Sequence, residues 1–354
     1  MREPRRILIV KLSSIGDVVQ SLPVAAALRR RFPESYIAWA VGPAVAEVLT
    51  GNPALSDVLV VGGSATTSPG SRSLPPLSEP IALRRELHAI GFDLALDLQG
   101  LFKSAAVAYL SGARDRIGFR TLREGTFLLN NRRILPDRRD VHAVDSYLDF
   151  AEALGAPRQP VEFAISISGT DREVVDRLLG SQGDFAALIP GARWESKLWP
   201  TDRFAAAAQA LTQEFSLVPV IVGAPGDAGL AREIAAASRT PVIDLTGKTT
   251  LKQLAEVFLR CRVTIGNDTG PLYISAAMGT PTVAIFGPTD SRRLGPYGDG
   301  HAKVIADIEC APCRNRRCPQ RRCMEMIEPA RVVAAARELL SRSPLLPCSR
   351  QVEA

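Results

Sequence analysis

The run Asp-Thr-Gly at residues 268–270 combines residue types that suit the binding of an anionic ligand. It stands between two apolar runs, residues 263–265 and Thr282–Phe286, whose β-branched side chains predict buried strands. Pro271 suits the first turn of a helix over residues 272–278, because its missing N–H would have no partner there in any case. A helix that begins after a glycine at the end of a strand offers its N–H groups to an anion. An ordinary capped strand–helix corner would use the same residues, so the pattern alone leaves both roles open.

A second carboxylate occurs in a similar setting near the start of the sequence. The apolar run Arg6–Val10 predicts a strand, Gly16 interrupts the chain, and Asp17 opens a helix. Pro23 is expected to kink that helix or to mark its start. The loop lacks the GxGxxG and GxxxxGK[ST] patterns of nucleotide-binding loops, and so do the loops after the other predicted strands. Asp17 is therefore either a candidate base at the loop tip or a plain helix cap.

Three more polar loops follow predicted strands in the second half of the sequence. The first contains Gly191, Arg193 and Lys197 and suits a phosphate, since glycine frees the backbone and the side chains carry positive charge. Asp227 in the next loop is placed like the carboxylates that accept hydrogen bonds from ribose hydroxyl groups. Thr249 lies in the third loop. One polar loop is weak evidence, but four at the same edge of a sheet predict a nucleotide-shaped ligand.

The alternation of strands and helices predicts a scaffold that brings these loops to one edge. Strict alternation favours a parallel, doubly wound α/β sheet. Two such runs, joined by a proline-containing connection at residues 156–170, predict Rossmann-like domains over residues 1–165 and 166–354. Residues 62–80 are rich in Ser, Pro and Gly and are expected to form a long surface loop. The predicted strands are residues 6–10, 36–41, 58–61, 93–98, 185–189, 218–222, 242–245, 263–265 and 282–286.

The composition is that of a globular protein with a basic balance of charge. Of 354 residues, 46% are hydrophobic, and the formal net charge is +6, which excludes a disordered chain. No apolar run approaches the roughly 18 residues that span a bilayer, and none resembles a signal peptide, so we expect a cytoplasmic protein. Arginine pairs with phosphate and carboxylate, so anionic partners are expected, although an arginine-rich genome would give the same count. Arg114, Arg116 and Arg120 either line a cleft or remain in solvent.

Four of the six cysteines are close together, in the spacing C-x2-C-x4-C-x4-C at Cys310, Cys313, Cys318 and Cys323. This spacing could close a tetrahedral zinc site, and it equals that of a zinc knuckle with cysteine in place of the usual histidine. Interleaved arginines then allow a nucleic-acid-binding protein as an alternative. The cluster contains no aromatic residue that could stack on a base, which disfavours that alternative. Reduced free thiols are the remaining interpretation, since a disulfide scaffold is not expected without a secretion signal.

Together these motifs resemble glycosyltransferase family 9, the ADP-heptose:lipopolysaccharide heptosyltransferases. The resemblance covers nearly the whole chain and rests on the stretches ILIVKLSSIGDVVQSLP, DLALDLQG, GARDRIGF, HAVDSYLDFAEALG, PGARWESKLWP and NDTGPLYISAAMGTPTVAIFGPTD, with GPYG after the last. It implies a GT-B fold, in which two Rossmann-like doubly wound domains face each other across a cleft. The N-terminal domain would bind the acceptor and the C-terminal domain the nucleotide sugar. The C-terminal helix, residues 329–341, would pack back on the N-terminal domain.

The resemblance also implies roles for individual residues. Asp17 falls on the catalytic carboxylate of the family and Lys197 on its diphosphate-binding lysine. Asp227 fits less well, since the family usually has Glu near this position, and Tyr273 stands where members commonly have His, which puts the donor preference in question. The candidate donor-binding residues are Gly16, Gly191, Arg193, Asp227, Thr249, Asp268, Thr269 and Gly270. The candidate acceptor-binding residues are Ser13, Ser14 and Arg116.

The expected reaction is inverting transfer of heptose from ADP-heptose to the lipopolysaccharide inner core, without a required cofactor and with a structural zinc as an option. An ionised carboxylate can take the proton of the attacking hydroxyl, while Lys197 and the helix after Gly270 stabilise the departing diphosphate. The expected partners are an ADP-sugar and a lipid-linked anionic oligosaccharide at the cytoplasmic face of the inner membrane, with no nucleic acid. The alternatives are a transferase or epimerase that uses another nucleotide sugar, and the zinc-knuckle nucleic-acid-binding protein.

Overall fold

The computed structural model forms two compact units, Met1–Ser166 and Ile167–Ala354. From the sequence, the boundary is expected between residues 165 and 166. Each unit is an α/β structure built on one parallel sheet, while the acceptor and donor roles given to the two domains stay predictions. The structure describes residues 3–63, 70–120, 123–136, 140–180 and 183–342.

In its described residues, the first unit contains a seven-stranded parallel sheet. The strands are β1 (Arg6–Val10), β2 (Tyr36–Val41), β3 (Asp57–Val61), β4 (Arg72–Leu74), β5 (Leu94–Asp97), β6 (Asp115–Arg120) and β7 (Arg132–Pro136). The helices are α1 (Ile15–Arg31), α2 (Ala46–Leu49), α3 (Pro80–Ile90), α4 (Phe102–Leu110) and α5 (Ala143–Glu152). The sheet order is β4-β3-β2-β1-β5-β6-β7. Chain order therefore reverses between β1 and β5, and doubly wound sheets bind ligands beyond the carboxyl ends of such strands.

The second unit contains a six-stranded parallel sheet, again counted over its described residues. The strands are β8 (Phe185–Ile189), β9 (Val218–Ile221), β10 (Ile243–Asp244), β11 (Cys261–Asn267), β12 (Thr282–Phe286) and β13 (His301–Ile305). The helices are α6 (Gly169–Leu179), α7 (Thr201–Phe215), α8 (Ala228–Ala237), α9 (Leu251–Leu259), α10 (Gly270–Ala277), α11 (Ser291–Leu294), α12 (Arg322–Glu325) and α13 (Pro329–Arg342). The order β10-β9-β8-β11-β12-β13 places the reversal between β8 and β11.

The central strands of both sheets are buried on their two faces, as strands of parallel sheets usually are. Residues 7–10 of β1 and all of β8 are buried, so the central strands are continuous apolar runs. Trp199 anchors the loop after β8: its ring meets Phe204 edge-on at 4.9 Å between centroids, and its indole N–H donates to the Ile327 carbonyl at 2.9 Å. Within the described ranges, no helix is long and apolar enough to cross a membrane.

The C-terminal helix α13 packs against α7 and against β11, β12 and β13 of its own unit. Its buried face consists of Val332, Val333, Ala336 and Leu339. These positions form one apolar stripe along an amphipathic helix. The expected packing of α13 on the first domain stays a prediction.

Three features differ from the sequence-based expectations. Helix α1 begins at Ile15 and continues through Pro23, so Pro23 does not mark its start. Within the expected loop at residues 62–80, Arg72–Leu74 form the edge strand β4, which is too short to show an alternating pattern; residues 64–69 of that loop lie outside the described residues. Strands β6, β7 and β13 were not predicted, because charged residues interrupt their apolar pattern.

Candidate active site

In the first unit, Asp17 lies in the first turn of α1, just beyond the carboxyl end of β1. Its Oδ2 accepts hydrogen bonds from the Ser14 backbone N–H at 3.2 Å and from the Ser14 hydroxyl at 2.7 Å. The Tyr147 hydroxyl donates to its Oδ1 at 3.4 Å. The side chain is nevertheless 42% exposed. The carboxylate is thus held in one orientation while solvent and ligands can still reach it.

Lys11 lies beneath this carboxylate, with its side chain 4% exposed. Its Nζ donates to the Tyr147 hydroxyl at 2.8 Å and to the Leu98 carbonyl at 3.1 Å, and it lies 3.9 Å from Asp17 Oδ1. The same ammonium is 4.5 Å from the centroid of the Tyr147 ring. Tyr147 therefore links a buried cation to an accessible anion.

These contacts set the charge state of both groups. Burial alone would raise the pKa of Asp17, but the Lys11 ammonium and the hydrogen bonds from Ser14 and Tyr147 outweigh it, so the pKa of this carboxyl lies below its usual value. Burial alone would lower the pKa of Lys11, but interactions with Tyr147 and Asp17 raise the pKa above its usual value. Both groups are charged at neutral pH. An ionised, reachable carboxylate can accept the proton of an attacking hydroxyl.

A second buried carboxylate, Asp97, fixes the neighbouring loop after β5. It accepts hydrogen bonds from the backbone N–H groups of Gln99 and Gly100 at 3.1 and 3.0 Å and from the Asn130 amide at 3.1 Å. Gln99 Oε1 in turn accepts from the Leu12 N–H at 2.7 Å, which ties this loop to the one after β1. Burial raises the pKa of Asp97 against these hydrogen bonds. Because Asp97 is fully buried, it positions the loops rather than reaching a ligand.

In the second unit, Lys197 and Asp268 meet at the point where chain order reverses between β8 and β11. The Lys197 ammonium donates to Asp268 Oδ2 at 2.6 Å, and the Thr289 hydroxyl donates to the same oxygen at 2.7 Å. The Tyr273 hydroxyl donates to Asp268 Oδ1. Thr269 is the N-cap residue of α10, which begins at Gly270. The structure thus brings a lysine side chain to the N-terminal end of a helix, an arrangement that suits a diphosphate.

Asn267, the residue before Asp268, holds the loop that carries Lys197. Its amide N–H donates to the Pro190 carbonyl at 2.7 Å, and its Oδ1 accepts from the Trp199 N–H at 3.2 Å. The side chain is fully buried. Both ends of the loop after β8 are therefore tied to the end of β11.

Asp227 also contacts the loop after β8, the one that carries Lys197. Its Oδ2 accepts from the Ala224 N–H at 2.8 Å, and its carboxylate packs on Gly191 so closely that a Cβ there would collide with it. Gly223 has a similar contact, because a Cβ added there would lie 2.8 Å from Asp227 Oδ2. In this side-chain orientation the carboxylate occupies the space of both missing side chains, so a larger residue at either glycine would have to displace it. The structure thus brings Gly191, Asp227, Lys197 and the start of α10 to one edge of the second sheet.

The remaining predicted site residues differ in how far they are buried. Arg193 is exposed, Thr249 is half-buried in the loop before α9, and Gly16 is buried in the first turn of α1. Ser13 is half-buried beside Ser14. Their positions are compatible with the predicted roles, which stay predictions.

Arg116 has a different environment from the one expected of an acceptor-binding residue. Its guanidinium donates to the Leu129 carbonyl at 2.8 Å and to the Ala113 carbonyl at 2.7 Å, and it stacks on the Tyr109 ring. Arg116 pairs in register with Ala95, two residues before the end of β5. In the structure this side chain holds the backbone at Leu129 and Ala113, and its predicted contact with the acceptor stays a prediction.

The chain that carries these two sites is similar to known protein families. Residues 81–324 match the family model described as glycosyltransferase family 9 (heptosyltransferase). The chain belongs to glycosyltransferase family 9. A relative, lipopolysaccharide heptosyltransferase 1 of Pseudomonas aeruginosa, is 29% identical over 88% of this chain and 87% of that protein. The family resemblance read from the sequence motifs is confirmed.

Solved structures show the fold of this family 9 chain. A family 9 glycosyltransferase of Veillonella parvula matches with a TM-score of 0.82 at 24% identity, over 96% of this chain and 98% of that one. The Escherichia coli heptosyltransferase WaaC, solved with ADP-2-deoxy-2-fluoro heptose, matches with a TM-score of 0.68 at 23% identity, over 95% and 99% of the two chains. The predicted GT-B fold class is confirmed.

The four clustered cysteines of this family 9 chain form no disulfide bond among the residues that the structure describes. Cys310 and Cys313 are exposed, Cys318 is half-buried and Cys323 is buried. Burial, together with the neighbouring thiols of Cys310, Cys313 and Cys318, raises the pKa of Cys323. Within the described ranges, no group of three or more His, Cys, Asp or Glu residues is arranged to hold a metal ion. The predicted structural zinc therefore stays a prediction.

Five residues support the candidate site in the structure but were not candidates from the sequence: Lys11, Asp97, Tyr147, Asn267 and Thr289. Lys11 directly follows four fully buried residues of β1, and a lysine at the end of a buried central strand is a signal that could have been used. Thr289 lies in the GPTD stretch, at the end of another such strand. Tyr147 gives no local signal, since it is 130 residues from Asp17 in the chain.

Replacing Lys11 with Met should move the acidic limb of the pH–rate profile of kcat/KM to higher pH. The wild-type carboxyl remains ionised until the pH falls through its lowered pKa, and removing the ammonium raises that pKa toward its usual value. Tyr147→Phe removes one hydrogen bond but keeps the charge, so its shift should be smaller and in the same direction. Arg85→Met, which removes an exposed charge from α3, is the matched control. An unchanged acidic limb in an active Lys11→Met variant would contradict the coupling.

Proposed function

We propose that this family 9 chain is an inverting heptosyltransferase that moves heptose from ADP-heptose to the inner core of lipopolysaccharide. The observation that carries the proposal is the Lys197–Asp268 pair at the start of α10, at the switch point of the second sheet. The substrate classes are supported by the relatives, which are named as lipopolysaccharide heptosyltransferases, and by the ADP-heptose analogue bound to one structural neighbour.

The donor is proposed to bind at the carboxyl edge of the second sheet. Lys197 and the first N–H groups of α10 bind the diphosphate, and Gly191 leaves room for the Asp227 carboxylate at the same edge of the sheet. The carboxylate of Asp227 accepts hydrogen bonds from the ribose hydroxyl groups. As the bond to the sugar breaks, negative charge grows on the diphosphate, so Lys197 stabilises the transition state more than the bound donor.

Asp17 is proposed to act as the general base. The acceptor hydroxyl attacks the anomeric carbon from the face opposite to the diphosphate, and its proton passes to the Asp17 carboxylate. This single displacement inverts the configuration at the anomeric carbon. Lys11 and Ser14 keep the carboxylate ionised and oriented, while its 42% exposure leaves room for the acceptor. Ser13 and Ser14 border the position where the acceptor would bind.

The net positive charge of the protein supports the proposed anionic partners. The acceptor is a lipid-linked anionic oligosaccharide, which suits a protein with a net charge of +6. The protein is proposed to act in the cytoplasm, in peripheral contact with the inner membrane, and to bind no nucleic acid. No metal is required in this mechanism, because Lys197 and α10 supply the positive charge that the leaving diphosphate needs.

The second candidate is transfer or epimerisation of another nucleotide sugar, and Tyr273 is the observation that favours it. Its hydroxyl donates to Asp268 in the donor site, where the family commonly has His. A mass-spectrometric screen of ADP-heptose and other nucleotide sugars against truncated lipid acceptors tests both candidates. Product with ADP-heptose only in the presence of acceptor supports the proposal. A changed sugar without acceptor would instead identify an epimerase.

Replacing Asp17 with Asn should lower the turnover rate by about 10²–10⁴-fold, because the amide cannot accept the proton of the attacking hydroxyl. The dissociation constant for ADP should stay within about twofold, since Asp17 lies in the other unit from the nucleotide site. Single-turnover kinetics and calorimetry measure the two quantities. Asp145→Asn, which removes a carboxylate paired with Arg158 in the same unit, is the matched control. A rate above about a tenth of wild type would be inconsistent with a general base.

Replacing Lys197 with Ala should weaken ADP binding and also slow the chemical step, because the same charge serves the bound diphosphate and the leaving group. Each effect should be about tenfold or more, the size expected for one charge-assisted hydrogen bond. Isothermal titration gives the affinity, and single-turnover rates at saturating donor give the chemical step. Lys303→Ala, on the exposed face of β13, controls for the loss of a lysine. Unchanged affinity and rate would remove Lys197 from the donor site.

A further inference from the structure

The cysteine segment, residues 310–323, contacts one of the loops that hold the Lys197–Asp268 pair. The backbone N–H of Arg314 donates to the Pro288 carbonyl at 2.7 Å, next to the residue whose hydroxyl binds Asp268. Cys323 packs on Gly287, where a Cβ would lie 2.9 Å from the cysteine sulfur. The segment is therefore fixed to the loop that follows β12.

The same segment reaches the loop that carries Lys197. The guanidinium carbon of Arg316 lies 4.7 Å from the centroid of the Trp194 ring, and the Lys197 ammonium lies 4.5 Å from the same centroid. A longer ion pair joins Arg321 to Glu195 at 3.9 Å. Two cations, one from each segment, thus contact a single indole ring.

The two cations differ in their other partners. Lys197 is paired with Asp268, whereas in the part of the chain that the structure describes no carboxylate lies within ion-pair distance of the exposed Arg316. Like charges held close together repel each other unless an anion binds between or beside them. The aromatic ring holds the guanidinium in place, and a guanidinium presents a planar fork of donors that matches a phosphate group.

We propose that Arg316 is a further donor-binding residue, which brings a second cation to the diphosphate beside Lys197. Trp194 acts as the positioning residue of Arg316. The contacts of Arg314 and Cys323 hold the cysteine segment close to the loops that carry Lys197 and Thr289. The proposal rests on the proposed function, since it assumes a nucleoside diphosphate at Lys197. It gives the cysteine segment a role that requires no metal ligation, namely to carry an arginine to the donor.

The test compares ADP and AMP binding by isothermal titration at two salt concentrations. Arg316→Ala should weaken ADP binding about tenfold, weaken AMP binding less, and reduce the salt dependence of ADP binding. Arg316→Lys keeps the charge but not the planar fork, so its affinity should be intermediate. Trp194→Leu should produce part of the same loss. Arg317→Ala, the exposed neighbouring arginine, is the matched control and should bind both nucleotides as the wild type does.

The outcomes separate this proposal from the proposed function. Unchanged ADP affinity in Arg316→Ala, together with weakened binding in Lys197→Ala, would overturn the proposal and leave the donor site intact. Equal losses in Arg316→Ala and Arg317→Ala would show general attraction by a basic surface and would also overturn it. A thermal midpoint equal to that of the wild type assigns any loss to the ligand contact rather than to folding. Absence of ADP binding in the wild type would instead reject the proposed function.

Discussion

Lys197 reaches across the centre of the second sheet to the carboxylate of Asp268, and several chain segments keep the two groups together. Charges removed from water are stable only with a close partner and further hydrogen bonds. Asp268 has these in Thr289 and Tyr273, which donate from the loop after β12 and from α10. Asn267 fixes both ends of the loop that carries Lys197. The shape of the candidate donor site depends on this pair, because it joins the end of β8 to the end of β11.

The features with a strong local pattern could be predicted from the sequence. Strands β1, β2, β8 and β12 have the predicted bounds, because a strand buried on both faces is a continuous apolar run. The polar loops could also be placed at one edge, since parallel strands bring their carboxyl ends together. Asp17, Lys197 and Asp268 were candidates for this reason. The family motifs then indicated the roles of these three residues. Their spacing alone is compatible with either catalysis or helix capping.

Contacts between distant parts of the chain could not be predicted in this way. No local pattern connects Tyr147 with Asp17, although the tyrosine helps to set the charge state of the carboxylate. The sequence also does not tell whether an arginine remains available for a ligand. Arg116 donates to two backbone carbonyls, whereas Arg316 stacks on Trp194 without an anionic partner in the described residues. The difference arises from tertiary packing, which brings carbonyl groups to one guanidinium and an indole ring to the other.

Each unit places a lysine next to an aspartate beyond the central strands of its sheet, but the two pairs expose opposite charges. In the first unit the lysine is 4% exposed and the carboxylate 42%; in the second the lysine is 13% exposed and the carboxylate 4%. In the first unit the buried Lys11 helps to lower the pKa of the Asp17 carboxyl against the effect of burial, and in the second the buried Asp268 fixes the position of the Lys197 ammonium. The first unit therefore offers an anion that can accept a proton, and the second offers a cation that can stabilise a leaving group. A displacement at a sugar bound to a diphosphate needs one of each, which is the physical reason for the proposed division of the reaction between the Asp17 carboxylate and the Lys197 ammonium.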